Sequence, residues 1–174
     1  MLKKLSKRLP LYGRVPRRVM AVALSLVMCL GMLPASALAA GSAEAMWGAS
    51  ADNLSSSGTF VAAMDAANNA ASGTTYIQLQ KDVTLGSAWS VDSGRTTVLD
   101  LNGKIIDRGL TGGAAQANGY VVDSKGNLTI KDSSTPSTGK ITGGNNGSDG
   151  GGVHVDGGSF TLAGGSITSN TSNS

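Results

Sequence analysis

The chain has 174 residues, with 14 Lys and Arg against 11 Asp and Glu, one His, one Cys and 25 Gly. Its formal charge of +3 misleads, because seven of the basic residues and no acidic one fall in the first 19 positions. Beyond them seven bases face 11 acids, so no basic surface remains for nucleic acid, and the sole Cys29 lies in the N-terminal apolar run, which leaves the rest without thiol or disulfide.

The opening MLKKLSKRLPLYGRVPRRV leads into residues 19–33, which are almost wholly apolar; Pro34 ends the run and Ala37-Leu38-Ala39 supplies small residues at the −3 and −1 positions. That order predicts a secretory signal peptide over residues 1–39, cut after Ala39. The run falls short of the roughly 20 apolar residues of a membrane anchor, so no membrane span is expected after cleavage. Met28 stands where a lipoprotein needs a small residue before its cysteine, which argues against lipidation.

Residues 40–58 are small and polar around an isolated Trp47 and read as an extended lead-in. A short helix is expected over residues 59–73. Thr59 suits the N-cap, Phe60, Ala63, Met64 and Ala67 make one apolar stripe at i, i+3, i+4 and i+7, and Gly73 is placed to stop it. Such a helix serves better as a cap over the first layer of strands than as a partner-binding element.

From Tyr76 the apolar period changes to two. Ile77 and Leu79, then Val83 and Leu85, then Trp89 and Val91 form the first set. Leu99 and Leu101 point inward, Asn102-Gly103 makes a corner and Ile105 starts the next strand. The third set is Tyr120-Val121-Val122, Leu128-Thr129-Ile130 and Gly139-Lys140-Ile141-Thr142, with residues 133–138 bulging as a loop at one corner. The fourth, residues 150–170, matches it: Tyr120 and Val122 align with Val153 and Val155, Leu128 and Ile130 with Phe160 and Leu162, Ile141 with Ile167. Intervals of 22, 29 and 32 residues separate Ile77, Leu99, Leu128 and Phe160. Short strands repeating at such unequal intervals predict a parallel β-helix over residues 74–174, in which insertions leave at corners. A β-sandwich is the serious competitor; the repeated G-[KS]-I-T element favours the helix. Gly, Ser, Thr and Asn at this level also fit a disordered linker, but disorder has no need of strand spacing between the glycines.

The pattern G-G-G-V-x-V-x-x-G-x-F-T-L-x-G-G-x-I-x-x-N at residues 150–170 resembles the Gly-rich coil repeated in bacterial surface and autotransporter-like proteins, and LDLNGKI at 99–105 and NLTIKD at 127–132 are similar to coils of the same family. The resemblance implies an all-β fold, a right-handed, pectin-lyase-like parallel β-helix (solenoid), here with a short N-terminal capping α-helix. Such a scaffold carries lyases, glycosidases and non-catalytic adhesins alike. Related chains run through many coils, whereas Val153, Val155, Phe160, Leu162 and Ile167 would form a last layer without a cap. The expectation is therefore an N-terminal piece of a longer protein.

Glycosidase chemistry needs two carboxyl groups across a scissile bond, and the resemblance to pectin-lyase-like hydrolases would imply paired aspartates, Gly-His-Gly and Arg-x-Lys. The chain has no Asp-Asp pair, His154 sits between valines, and Arg95 and Arg108 lack such a Lys. No catalytic residue is assigned, and His154 is expected as a solvent-facing strand residue. Asp123 and Asp156 follow aligned valines and would stack about 4.8 Å apart, a start for Ca²⁺; two layers are few and Asp is an ordinary corner residue, so neither a metal nor a cofactor is assigned. Residues 143–151, GGNNGSDGG, resemble a calcium-binding nonapeptide with its Asp displaced by one position and no tandem copy. Outward threonine pairs, Thr129 with Thr161 and Thr142 with Thr168, are too few for an ice-binding array. The expected function is a secreted or cell-surface structural or adhesive module whose partners are host or cell-wall glycans or surface proteins. The alternative is the front part of a polysaccharide lyase or glycoside hydrolase with its catalytic coils beyond residue 174.

Overall fold

The computed structural model describes residues 42–173. The expected signal peptide over residues 1–39 lies outside the described residues, as do residues 40, 41 and 174. The described chain is strand-rich with one short helix, and its strands form several small parallel and mixed sheets.

The lead-in holds more structure than its composition suggests. Strand β1 (Ala45–Gly48) pairs antiparallel with β2 (Ser56–Gly58), Ala45 opposite Gly58 and Trp47 opposite Ser56. Helix α1 (Phe60–Asn69) follows, with Thr59 as N-cap accepting from the Ala62 N–H at 3.1 Å. The Phe60 N–H donates to the Glu44 carboxylate at 2.9 Å, so a side chain from just before β1 takes a second free donor of the first turn. Phe60, Ala63, Met64 and Ala67 are the buried residues, the stripe expected from their spacing. The helix is shorter than the expected 59–73. Ala70 turns to an extended conformation (ψ 129°) and its carbonyl accepts from the Arg95 guanidinium, which ends the helix before Gly73.

After α1 the chain visits the sheets in a recurring order. It passes through β3 (Thr74–Leu79), β4 (Val83–Thr84) and β5 (Trp89–Val91), then β6 (Thr96–Asp100), β7 (Ile105–Asp107) and β8 (Val122–Ser124). It continues through β9 (Asn127–Lys131), β10 (Lys140–Thr142), β11 (Asn145–Asn146) and β12 (Val153–Val155), and ends with β13 (Ser159–Leu162), β14 (Ser166–Ile167) and β15 (Thr171–Ser172). The long sheet has the order β13-β9-β6-β3-β1-β2, parallel except for the two antiparallel strands at one edge. The others are parallel, with orders β14-β10-β7-β4, β12-β8-β5 and β11-β15.

The pairings set side chains above one another. Ile77, Leu99, Ile130 and Leu162 follow in register along the long sheet, and Val83, Ile106, Ile141 and Ile167 along the four-stranded one. Trp89, Val122 and Val153 make the matching row of the third. Most of these belong to one buried cluster, against which Val153, Phe160 and Ile167 are partly buried. Each side chain fully withdrawn from water contributes roughly 1.5–3 kcal/mol, and parallel sheets demand such burial because their bonded faces carry little else.

Two registers depart from the sequence alignment. Leu99 faces Ile130, not Leu128, so the second interval is two residues longer than expected; Leu128 lies opposite Thr97. In the three-stranded sheet Val122 faces Val153 and Ser124 faces Val155, where Val122 with Val155 was expected. The cause is local: the N–H groups of Val121 and Val122 both donate to the Gly152 carbonyl at 3.0 Å, both valines turn inward and Tyr120 is left outside. The alignments Leu128 with Phe160 and Ile141 with Ile167 hold.

Many corners use left-handed backbone, and two show why. Asn102 (φ 48°) and Gly103 (φ 73°) form the left-handed pair of a tight turn closed by the Lys104 N–H on the Leu101 carbonyl at 2.8 Å. Gly158 combines φ 63° with a position where a Cβ would collide with the Gly126 carbonyl of the layer before.

Candidate functional site

A group of ionisable side chains lies on the outer face of the three-stranded sheet. Asp123 stands on β8 directly opposite His154 on β12. Its Oδ1 is 2.9 Å from His154 Nδ1 and its Oδ2 is 3.3 Å from Lys125 Nζ, while the carboxylate is only 7% exposed. The Tyr120 ring stacks on the imidazole with centroids 5.1 Å apart and planes 12° from parallel. Hydrogen bonding and charge from Asp123 raise the Lys125 pKa above its ordinary value. Burial and the same carboxylate raise that of the Tyr120 phenol, whose hydroxyl donates to Asn118 at 3.1 Å.

A carboxylate on Nδ1 fixes an imidazole and leaves Nε2 as the free nitrogen, the arrangement of a general base. A base needs something to act on, and no hydroxyl or thiol is bonded to Nε2 among the described residues. The cluster binds two strands together through a buried carboxylate held by two donors. His154 is therefore less open than a plain surface residue. Its signal in the sequence, Asp123 one layer earlier, was hidden by the two-residue register shift.

That shift also separates Asp123 from Asp156. Asp156 is exposed at the end of β12, its N–H bonded to the Ser124 carbonyl at 2.8 Å, and the two carboxylates do not face each other across a strand pair. Among the described residues no group of three or more His, Cys, Asp or Glu side chains is placed to hold a metal ion. Residues 143–151 have a different use. Asn145 and Asn146 are buried, and Asn146 accepts the Gly119 N–H at 3.0 Å while its amide donates to the Asp149 carbonyl.

Arg95 and Arg108 tie neighbouring stretches together. Arg95 donates to the Ala70 carbonyl and Arg108 to that of Leu85 at 3.1 Å. Trp89 is 1% exposed and meets Phe60 edge-to-face at 5.3 Å; Trp47 is half-buried against the core. Neither offers a ring face of the kind a sugar-binding platform needs. Thr129 and Thr161 do stand side by side on the long sheet, but the row reaches Val98 one strand on.

Two aspartates act as backbone anchors. Asp132 accepts the N–H groups of Gly103 (2.8 Å) and Gly139 (2.6 Å) and the hydroxyls of Ser134 and Ser137, both at 2.8 Å, and so organises the 133–138 loop. Asp100 accepts the N–H groups of Asn102 (3.0 Å) and Ser133 (2.9 Å) on Oδ1, and Gln78 Nε2 at 3.3 Å and Lys131 Nζ at 3.4 Å on Oδ2. Position in the sequence marked neither: Asp100 draws Ser133, Gln78 and Lys131 from other stretches, and Asp132 joins its own loop to Gly103.

Comparison with family models, curated proteins and solved structures finds no match for this chain. No helix among the described residues is long and apolar enough to cross a membrane.

Proposed function

We propose that the chain is an exported module in which residues 74–173 wind as a right-handed parallel β-helix with a structural or adhesive role at the cell surface, non-catalytic in this piece. The observation that carries this reading is the in-register stacking: β3, β6, β9 and β13 are neighbours in one sheet and β4, β7, β10 and β14 in another, although 22 to 32 residues of chain separate partners such as Ile77, Leu99, Ile130 and Leu162. A stack of this kind is stiff along its axis and repeats the same outward positions from layer to layer, which suits contact spread over a surface. The basic and apolar leader with its small-residue cut site supports export. The expected partners are glycans or proteins of a cell surface or wall.

Two measurements test the reading. N-terminal sequencing of protein recovered outside an expressing cell should begin at Ala40; retention of Met1 would contradict export. Beads coated with the folded chain should be retained on cell-wall or host glycan surfaces and lose retention on unfolding. Release of reducing ends or unsaturated products from pectin-type polysaccharides by the chain alone would instead favour the enzyme reading.

A further inference from the structure

A groove of about 540 Å³ runs along α1, a volume inside the roughly 300–1,000 Å³ range of ligand pockets. One wall is the helix face of Val61, Met64, Asp65 and Asn68, which recur at i, i+3, i+4 and i+7. The other is the chain from Val83 to Ser90: β4, the corner after it and the start of β5. Met64, Val83, Leu85 and Trp89 are buried and give the groove an apolar lining. Val61, at 54% exposed, stands on the open side with Asp65, Thr84 and Ser87.

The second wall carries an open strand edge. β4 and β5 are the last strands of their sheets, so their outer edges have no strand partner. In the long sheet the matching edge, that of β3, is covered by β1. At β5 a side chain takes that place: Asn68 Nδ2 donates to the Ser90 carbonyl at 2.9 Å and its Oδ1 accepts the Asp92 N–H at 3.1 Å, bonds of the kind a neighbouring strand makes. Nothing similar reaches the corner. The Leu85 N–H and carbonyl are taken by Asp107 and Arg108, and Gly86, Ser87 and Ala88 make no hydrogen bond among the described residues.

The groove also has a sign. Glu44 and Asp65 are the charged residues that line it, with no Lys or Arg beside them. Among the described residues neither carboxylate has an ion-pair partner; Glu44 accepts the Phe60 N–H, and Lys81 sends its Nζ to the Ser42 carbonyl at 2.7 Å.

We infer that this groove takes a short extended segment of a partner protein, alternating apolar and basic side chains, which adds as a strand along residues 84–88. The segment's backbone meets the open edge, its apolar side chains the lining, and its Lys or Arg the two carboxylates. A helix of 10 residues is ~15 Å long, a span that about four or five extended residues match at ~3.3 Å each. The inference deepens the adhesive reading by naming the chemistry of a protein partner, and it rests on that reading only for where the partner is found.

Amide chemical-shift titration of the full chain tests it, with the peptide Ac-VKVKV-amide as probe. The controls are Ac-VEVEV-amide and the Lys peptide N-methylated at alternate residues, which keeps the charge and removes the strand-forming N–H groups. Saturable shifts confined to residues 61–68 and 84–90 are expected with the probe and not with either control. Asp65→Asn and Val61→Ser, both at exposed positions, should each weaken binding about three- to fivefold, the loss of one screened ion pair or one apolar contact. Asp156→Asn, the same charge change on the last strand at the other end of its sheet, leaves binding unchanged. Circular dichroism checks that each variant is folded. Equal binding of either control peptide, insensitivity to both groove variants, or no binding by folded protein overturns the inference and leaves the layered module intact. Shifts of the same amides on raising the protein concentration without peptide overturn it as well, because a second copy then fills the groove. An NOE spectrum without contacts between Val83 and Ile106 would instead undo the strand pairing on which both readings stand.

Discussion

Thr97 is 1% exposed, in a row with Thr75, Leu128 and Phe160, and its hydroxyl has no partner among the described residues. A buried hydroxyl left unpaired costs about 1–3 kcal/mol. Thr97→Val keeps the shape and removes the polar atom, so it should stabilise the fold by about 1 kcal/mol in urea unfolding; a loss of stability would show that the hydroxyl is satisfied. Asp132 makes the opposite case. Burial works against its charge, but hydrogen bonds from Gly139, Ser134, Gly103 and Ser137 outweigh it and hold the carboxyl far below its usual range. Burial of Asp100 is outweighed in the same way by bonds from Ser133, Asn102 and Gln78, and its pKa is also lowered. Both folded values lie below the unfolded one of about 3.9. Their stabilisation is therefore complete above that pH and lost as pH falls toward the folded values. Thermal unfolding should show the midpoint dropping below about pH 4, with a shallower drop for Asp132→Asn. At neutral pH that variant should cost about 2–4 kcal/mol, since several bonds to one charged acceptor weaken together.

At the scale of the element, α1 shows what the sequence carries and what it does not. Its N-cap and buried stripe follow from Thr59 and the spacing of Phe60, Ala63, Met64 and Ala67, which are local facts. Its end does not, because Ala70 leaves the helix toward a guanidinium from Arg95, 25 residues on. Thr59→Ala should cost about 1 kcal/mol in thermal unfolding, and no more, because Glu44 still serves the Phe60 N–H. The same contrast holds for strands. Ile141 with Ile167 and Leu128 with Phe160 were legible because matching Gly-flanked triplets fix both partners. The Val122 register was not, because an alternating pattern cannot say whether one valine or two turn inward at a corner, and here the Gly152 carbonyl binds both. That hidden shift concealed the Asp123–His154 pair and created a false one with Asp156. The strands β1 and β2 were equally hidden, since Ala45, Gly48 and Ser56–Gly58 are poor strand formers by composition and pair only because β3 offers an edge.

Across the whole described chain one relation organises the rest: residues 22 to 35 apart become lateral neighbours in the parallel pairings, and hydrogen-bonded corners let the intervals differ. Insertions such as 133–138 leave the stack without disturbing it, because Asp132 and Gly139 close the loop at its base. Gly158→Ala tests how tightly the corners are stacked. Positive φ and the Gly126 carbonyl both oppose a Cβ, and a loss of about 2 kcal/mol or more is expected in urea unfolding. The anchors at Arg95, Arg108, Asp100 and Asp132 join different stretches, so cooperative loss of all layers in one transition is the natural consequence. The most direct test is a side-chain NOE spectrum of the full chain. It should contain cross-peaks between Leu128 and Phe160, Ile141 and Ile167, and Val122 and Val153 together. Their joint absence from a folded protein, or contacts pairing Val122 with Val155 instead, would contradict the stacking described here.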